Sequence, residues 1–589
     1  MVINDDCDDD TCILGMTWFK QYDVTQKLKE NMIIVPTKNG KSRILLQGKS
    51  TLVKPNKQAR VYTISIREID NNRHLTNTNP NNNNTDLNKL LTYDEEIIDE
   101  KDMHETKLID TNILPSGGDN NEIIPMEVKS LLEKFANSFA ENGGLGKVSI
   151  EHEHTIELKD PNEIIKTKPY RLTWEEDAHL KEELDQLLEK GLIRPSKGRW
   201  TSPVFFVQKK DKGLRLVVDF RKLNKNTKKM VYPLPHINEL LDSLGGATIF
   251  STLDAASGYW QVPLNGDSIE KTGFITKYGT YEFLVMPFGL CTASDTYQKM
   301  MSSLMAPYIG RFVFVFIDDI IVYSKNISEH LIHLETVFEV CNAANLRLKR
   351  SKCHFACKSV EYLGHVVSAD GVLPTTHNVS KLINMKTPEC ISDVRSLLGT
   401  TNYYRRYIPN YAALMRPITR LLKKTETFIW EAEQQEAFTF VKEVLTNPPI
   451  LSYPDRDQTQ ILTTDGCSTG IGAILSQSPD DSNKQETVIA YASKALKDSE
   501  RNLSTTEIEA YAIIWAVKYF RHYLVGKNRK FILYTDHSAL AFILNNEKPT
   551  PKVSRWAAAL MEHNYEVRYK PGKNNPADAL SRLIVGVKG

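Results

Sequence analysis

The run RFVFVFIDDIIVYSK, residues 311–325, decides how the rest of this chain is read. Two apolar segments rich in β-branched and aromatic residues flank an Asp-Asp pair, and such residues favour strands. The spacing predicts a β-hairpin whose two-residue turn is Asp318 and Asp319, because aspartate tolerates positive φ better than most residues. Two carboxylates on so stiff a support repel each other unless a divalent cation neutralises them, and hard oxygen ligands suit Mg2+ or Mn2+. Taken alone, an Asp-Asp tip is also what an ordinary solvated hairpin presents.

Working upstream, Asp254 closes the apolar run ATIFSTL and is followed by AASGYWQ, a small-residue turn that carries aromatics. Three strand-end carboxylates can hold two metal ions, activating a 3′-hydroxyl and steadying a leaving pyrophosphate, which is the two-metal logic of nucleotidyl transfer. Earlier still, VQKKDKGLRLVVDFRKLN sets Lys209, Arg215 and Arg221 around a short turn and an apolar strand. Lys209 and Arg215 suit a grip on a triphosphate and a template backbone, whereas Lys210, Lys212 and Lys222 read as a solvated basic face.

The chain as a whole bounds these readings. Its 589 residues exceed what one core serves, so several domains are expected. A net charge of +1 excludes a globally basic nucleic-acid coat and leaves only local basic patches. Eight scattered cysteines make no disulfide framework, and no apolar run is long enough to cross a membrane or act as a secretory leader. Residues 13–66 contain short β-rich runs (MIIVPT, RILLQG, ARVYTISI), and the Asn-rich 71–84 with the acidic 94–102 reads as a linker. Beyond residue 126 strands and helices alternate, with an amphipathic helix over 174–190 that Gly191 ends. The stretch 370–446 reads as helical and holds NYYRRYIPNY, whose Arg405, Arg406 and Tyr407 suit a nucleic-acid backbone.

A second acidic set lies near the C-terminus. Asp465 closes the strand QILTT, Glu509 lies on a helix over 504–520, Asp536 follows FILYT, and Asp578 follows Asn575 and Pro576. Four such carboxylates could bring two Mg2+ ions to a scissile phosphate. Helical spacing favours Glu509 over Glu507, since Ala512, Ile513 and Ala516 share its face. The CHxxC cluster of Cys353, His354 and Cys357 has no second cluster to complete a zinc site and reads as structural, as do His152 and His154.

The blocks PYRLTWEE, GLIRPSKGRWTSPVFFVQKKD, LRLVVDFRKLN, LDAASGYWQV, YEFLVMPFGL, FIDDIIVYS and YLGHVVSADG, in this order, resemble the reverse transcriptases of gypsy-type long-terminal-repeat retrotransposons, the Metaviridae. The resemblance implies that Asp254, Asp318 and Asp319 form the metal-binding triad and that Lys209 and Arg215 touch the incoming triphosphate. It also implies that Tyr259 blocks a ribose 2′-hydroxyl, that Phe288 and Gly289 line the nucleotide pocket, and that Gly364 and His365 grip the primer end. Two positions depart from the pattern: CTASDTYQ places Ser294 where a proline is expected and Asp295 where a small apolar residue is, an acid that would oppose phosphate. LTTDGCSTGIGAILSQ, YTDHSAL and NNPADALSRL resemble the ribonuclease H of the same elements, which makes Asp465, Glu509, Asp536 and Asp578 its metal ligands. CILGMTWFKQYDVTQKLKENMIIV resembles the C-terminal part of a retroviral-type aspartic protease, but no Asp-Thr-Gly or Asp-Ser-Gly triplet occurs, so no protease activity is expected. Nor does the chain after LSRLIVGVKG leave length for an integrase.

The expected fold is a multidomain α+β right hand of fingers, palm and helical thumb and connection, followed by an RNase H-like α/β domain. The expected boundaries are 1–66 for a protease-like β remnant, 67–125 for the linker, 126–369 for fingers and palm, 370–456 for thumb and connection, and 457–585 for RNase H. The resemblance implies an RNA-directed DNA polymerase with RNase H activity, two Mg2+ or Mn2+ ions per site, and RNA template, DNA primer, RNA–DNA hybrid and deoxynucleoside triphosphates as partners. It implies no membrane, a cytoplasmic particle or nuclear setting, and either homodimers or assembly with other element proteins. The rival is a catalytically decayed or host-retained fragment that binds nucleic acid or a partner.

Overall fold

A computed structural model describes residues 124–208, 213–468, 470–479, 485–497, 499–525, 530–535, 543 and 550–569, together with the backbone of 25–27, 32–37 and 40–45. Two units separate, Met1–Asn112 and Ile113–Gly589. Within the first, β1 (Thr25–Lys27), β2 (Met32–Thr37) and β3 (Gly40–Leu45) form an antiparallel sheet, so MIIVPT is a strand as expected, while ARVYTISI and the linker lie outside the described residues.

Among the described residues the second unit carries four sheets. β4 (Ile193–Pro195), β5 (Ser202–Gln208), β6 (Leu214–Val218), β8 (Phe274–Thr276) and β9 (Gly279–Phe283) build one of order β4-β9-β8-β5-β6. The helix before it, α1 (Trp174–Glu189), starts at a Thr173/Glu176 capping box and ends before Gly191 at φ +64°, the stop expected from the sequence.

The central sheet has the order β10-β11-β7-β12, from β7 (Ile249–Asp254), β10 (Val313–Phe316), β11 (Asp319–Ser324) and β12 (His354–Cys357). Its hairpin is buried on both faces, which is why its strands read as continuous apolar runs. Val315, Ile320 and Val322 pack into a core with Val337 and Phe338 of α4 (Ile327–Ala343), while Phe314, Ile321 and Tyr323 pack on the other face with Leu241 and Tyr362. Helix α3 (Ala293–Met305) buries Tyr297, Met300 and Met301 in the first of these cores, and the short α2 (Ile237–Asp242) contributes Leu240 and Leu241 to the second.

A three-stranded sheet follows, β13 (Ser359–Tyr362), β14 (His365–Ser368) and β15 (Gly371–Pro374), and it runs across the expected boundary at 369. Helices then dominate, among them α5 (Thr376–Ile383), α6 (Ile391–Tyr403) and α7 (Ala432–Thr446). The last sheet has the order β18-β17-β16-β19-β20, from β16 (Thr459–Cys467), β17 (Gly470–Ser478), β18 (Thr487–Ala495), β19 (Phe531–Thr535) and β20 (Tyr565–Tyr569), with α8 (Thr505–Tyr519) and α9 (Pro551–Met561) against it. No helix among the described residues is long and apolar enough to cross a membrane.

Candidate active site

The turn of the central hairpin differs from the expected one. Phe316 pairs with Asp319, so the two turn residues are Ile317 and Asp318, and Asp319 is the first residue of β11. The cause is the neighbouring strand: the β11–β7 ladder extends to an Asp319↔Asp254 pair, which holds Asp319 in the sheet and moves the turn one residue upstream. Ile317 therefore takes the positive φ, +52°, that had been assigned to aspartate. A β-branched residue there stores roughly 1–3 kcal/mol of strain. Gln298 of α3 holds it: its buried Oε1 accepts from the Ile317 N–H at 2.6 Å, and its Nε2 donates to the Val315 carbonyl at 3.2 Å. Sequence reasoning passed over Gln298; the only available signal was its place one turn beyond Ser294 on a helix leading into the hairpin.

Directly opposed residues of an antiparallel pair point to one face, so Asp254 and Asp319 share an edge of the sheet with Asp318 beside them in the turn. Like charges so placed call for a counter-ion. Lys352 Nζ approaches Asp254 Oδ2 at 3.4 Å, and the Asp254 backbone is fixed by Lys349 N–H at 2.8 Å and by the Cys353 sulfur at 3.5 Å. Burial raises the Asp254 carboxyl above its ordinary range, against the opposing pull of Lys352 and Lys349. Among the described residues no three His, Cys, Asp or Glu side chains converge into a preformed cation cage. The fit to a divalent cation rests instead on the donors themselves, three hard carboxylates that the strand register brings to one edge.

Beside this edge, β7 leads through Ser257, at φ +47°, into a short helical turn Gly258–Gln261 that carries Tyr259. A Cβ at Gly258 would lie 2.5 Å from the Tyr297 hydroxyl, so only glycine lets this turn approach α3. The Tyr259 ring stacks on Phe288 with centroids 5.2 Å apart at 29° and meets Tyr297 at 5.2 Å. Its hydroxyl lies 3.1 Å from Ser294 Oγ. Phe288 is half exposed, and Gly289 needs its φ of +93° to turn the chain while its carbonyl accepts from Asn224 Nδ2. Asp295 accepts from the Tyr232 backbone N–H at 3.2 Å and lies in the first turn of α3, where a helix favours negative charge. That bond gives the acid a structural partner. Arg215 is exposed on β6; Lys209 lies outside the described residues.

Gly364 and His365 part company. Leu363 and Gly364, at φ +47° and +70°, form the two-residue turn between β13 and β14, and Tyr403 and Tyr404 donate their hydroxyls to the Leu363 and Gly364 carbonyls at 2.6 and 2.7 Å. Burial, and after it the field of Asp319, raises the Tyr362 phenol well above its ordinary value, which sets this hairpin within electrostatic reach of the carboxylates. The His365 ring, by contrast, is 2% exposed, packed against Tyr403, Tyr404 and Tyr407, with Nδ1 at 2.8 Å from the Leu363 carbonyl. Burial lowers its pKa to about 4, so it is neutral, and within the fold it braces the turn. Arg406 and Tyr407 are likewise buried, which corrects their assignment to a nucleic-acid surface, and only Arg405 of the three is exposed. The Arg406 guanidinium donates to Asn238 Oδ1 at 2.9 Å and Asp242 Oδ1 at 3.0 Å.

In the last sheet Asp465 lies two residues inside the end of β16, paired with Gly472. A Cβ at Gly466 would meet the Ile508 carbonyl at 3.1 Å, so glycine brings β16 onto α8 one residue from Glu509. Glu507 is spent on the capping box with Ser504, which agrees with Glu509 as the candidate. β19 runs parallel to β16, but Asp536 and Asp578 lie outside the described residues.

Comparison with known proteins follows this division. Residues 207–367 match the family model "Reverse transcriptase (RNA-dependent DNA polymerase)", and residues 430–533 match "RNase H-like domain found in reverse transcriptase", a match that begins inside the expected thumb and connection. The chain is 37% identical over 472 residues to the retrovirus-related Pol polyprotein from transposon 297 of Drosophila melanogaster, covering 79% of this chain and 44% of that one. It is 38% identical over 447 residues to the corresponding polyprotein from transposon gypsy of the same organism, covering 73% and 42%. The chain therefore spans less than half the length of these curated relatives. Among solved structures, a foamy viral protease–reverse transcriptase in complex with double-stranded DNA is similar in fold, with a TM-score of 0.66 at 21% identity over 80% of this chain and 81% of that one.

Proposed function

Since this chain belongs to the reverse transcriptase family, with the reverse transcriptase and RNase H-like domains of gypsy-type retrotransposon Pol polyproteins, we propose that it copies RNA into DNA and cuts the RNA strand of the resulting hybrid. The observation that carries the reading is the Asp319↔Asp254 pair at one sheet edge with Asp318 in the adjoining turn, inside the segment matched to the polymerase family.

Domains of these two kinds depend on divalent metals. In the proposed reaction Asp254, Asp318 and Asp319 would hold two Mg2+ or Mn2+ ions, and Asp465 and Glu509, with Asp536 and Asp578, would hold two more at the nuclease site. When bound, the ions supply Lewis acidity at the attacking oxygen and at the leaving group. The residues of the chain do the positioning. Arg215 and Lys209 grip the triphosphate, Phe288 and Gly289 line the pocket, and Tyr259 stands where a ribose 2′-hydroxyl would collide. Gly364 presents its turn to the primer end, with His365 bracing that turn. RNA template, DNA primer, hybrid and deoxynucleoside triphosphates are the proposed partners, in a cytoplasmic particle or the nucleus, with the polymerase as a homodimer or assembled with other element proteins. The domain boundaries are proposed as first drawn, except that fingers and palm extend to the end of β15.

The test is extension of a DNA primer on an RNA template by the purified chain with Mg2+. Template-dependent product that EDTA abolishes is expected. Wild-type protein that yields no more product than Asp318→Asn would contradict the reading and favour a decayed, binding-only fragment.

A further inference from the structure

The Tyr259 ring is held from three sides. Phe288 stacks on one face, Tyr297 meets it at 5.2 Å, and the backbone behind it is pinned by the left-handed Ser257 and by Gly258 pressed against Tyr297. Stacking restrains a ring in the direction normal to its plane but leaves it free to slide and rock within that plane. The remaining freedom is removed at the tip, where the Tyr259 hydroxyl meets Ser294 Oγ at 3.1 Å. Ser294 is itself well anchored. It lies in the first turn of α3, and its neighbour Asp295 ties that turn to the Tyr232 backbone. Burial, and after it the Asp318 carboxylate, raises the Tyr259 phenol well above its ordinary value, so the hydroxyl keeps its proton for this bond at any working pH. Ser294 is one of the two places where the chain departs from the pattern it resembles, and the expected proline would have no hydroxyl to offer.

We propose that Ser294 is a positioning residue for sugar selection: by tethering the Tyr259 hydroxyl it fixes the ring beneath the incoming sugar and so sets how strongly ribonucleotides are refused. The inference rests on the reading of Tyr259 as the barrier to a 2′-hydroxyl. A steric barrier discriminates only as sharply as its position is defined, because a ring that can shift by a fraction of an ångström makes room for one more oxygen. The size of the effect follows from the bond. A neutral hydrogen bond of this kind corresponds to about a three- to tenfold change in selectivity.

The measurement is the ratio of kcat/KM for a deoxynucleotide to that for the matching ribonucleotide, on one primer and RNA template. Ser294→Ala and Tyr259→Phe are each expected to lower the ratio by about three- to tenfold, mainly through faster ribonucleotide incorporation. The double variant is expected to fall no further than either alone, since both remove the same bond. Ser294→Thr, which keeps the hydroxyl, should retain the wild-type ratio, and Tyr259→Ala should collapse it. If Tyr259→Ala collapses the ratio while Ser294→Ala and Tyr259→Phe keep the wild-type value, the tether is overturned and the barrier reading stands. If Tyr259→Ala leaves the ratio intact, both are overturned. Should Ser294→Ala fail to fold, Tyr259→Phe tests the same bond from the other side.

Discussion

Gln298 shows how one buried amide can serve the proposed reacting centre by holding the turn next to it. Its Oε1 takes the Ile317 N–H, and its Nε2 spans the Val315 carbonyl and Ser302 Oγ, so this side chain joins the strand ladder in holding the strained turn that carries Asp318. Gln298→Leu would leave that buried N–H without an acceptor, at a cost of about 1–3 kcal/mol, in a turn already under strain. We expect kcat for primer extension to fall roughly ten- to a hundredfold through displacement of Asp318, with hybrid cleavage retained. A Gln298→Leu variant that extends primers at the wild-type rate would refute this role. At this scale the carboxylates became legible only together, because the Asp-Asp pair gained its meaning from Asp254 at a second strand end and from the motif blocks around it. Ile317 was not legible, since a β-branched residue is among the least expected occupants of positive φ, and it is the contact with β7 that forces it there.

Elements were legible in proportion to how local their signals are. The hairpin announced itself by its apolar strands and α1 by its amphipathic spacing and Gly191, all set by neighbours within a few residues, while the Thr173/Glu176 and Ser504/Glu507 capping boxes were not read from the sequence. NYYRRYIPNY misled because its partners are distant in sequence. Arg406 reaches Asn238 and Asp242 of α2 and, at 3.4 Å, the Ile489 carbonyl of β18, and Asp242 also accepts from the Tyr523 hydroxyl. A run of arginine and tyrosine reads alike whether it faces solvent or staples three elements together. The two cases differ in stability. Breaking a buried pair from one side strands the other charge and costs about 3–5 kcal/mol. Arg406→Ala should therefore lower the midpoint of urea unfolding substantially, and Asp242→Ala added to it should restore part of the loss. A midpoint that does not move with Arg406→Ala would return this arginine to the surface.

Across the second unit, the architecture keeps two acidic edges on two separate sheets. The central sheet offers Asp254, Asp318 and Asp319, and the last sheet offers Asp465 next to Glu509 of α8. Between them the connection docks tightly onto the last sheet: a Cβ at Gly472 would lie 1.9 Å from Asn410 Oδ1, so any larger residue there would have to displace that side chain. The order of the polymerase-like and RNase H-like segments was legible from motif blocks, while the packing of the connection was not, because it is written in complementary surfaces and not in periodicity. These two edges are proposed to be independent reaction centres in one chain, which primer extension on RNA and cleavage of an RNA–DNA hybrid, assayed side by side, will test. Asp318→Asn is predicted to abolish extension and keep cleavage, and Asp465→Asn to abolish cleavage and keep extension. Loss of both activities from either single substitution, or survival of the activity assigned to the substituted residue, would contradict it.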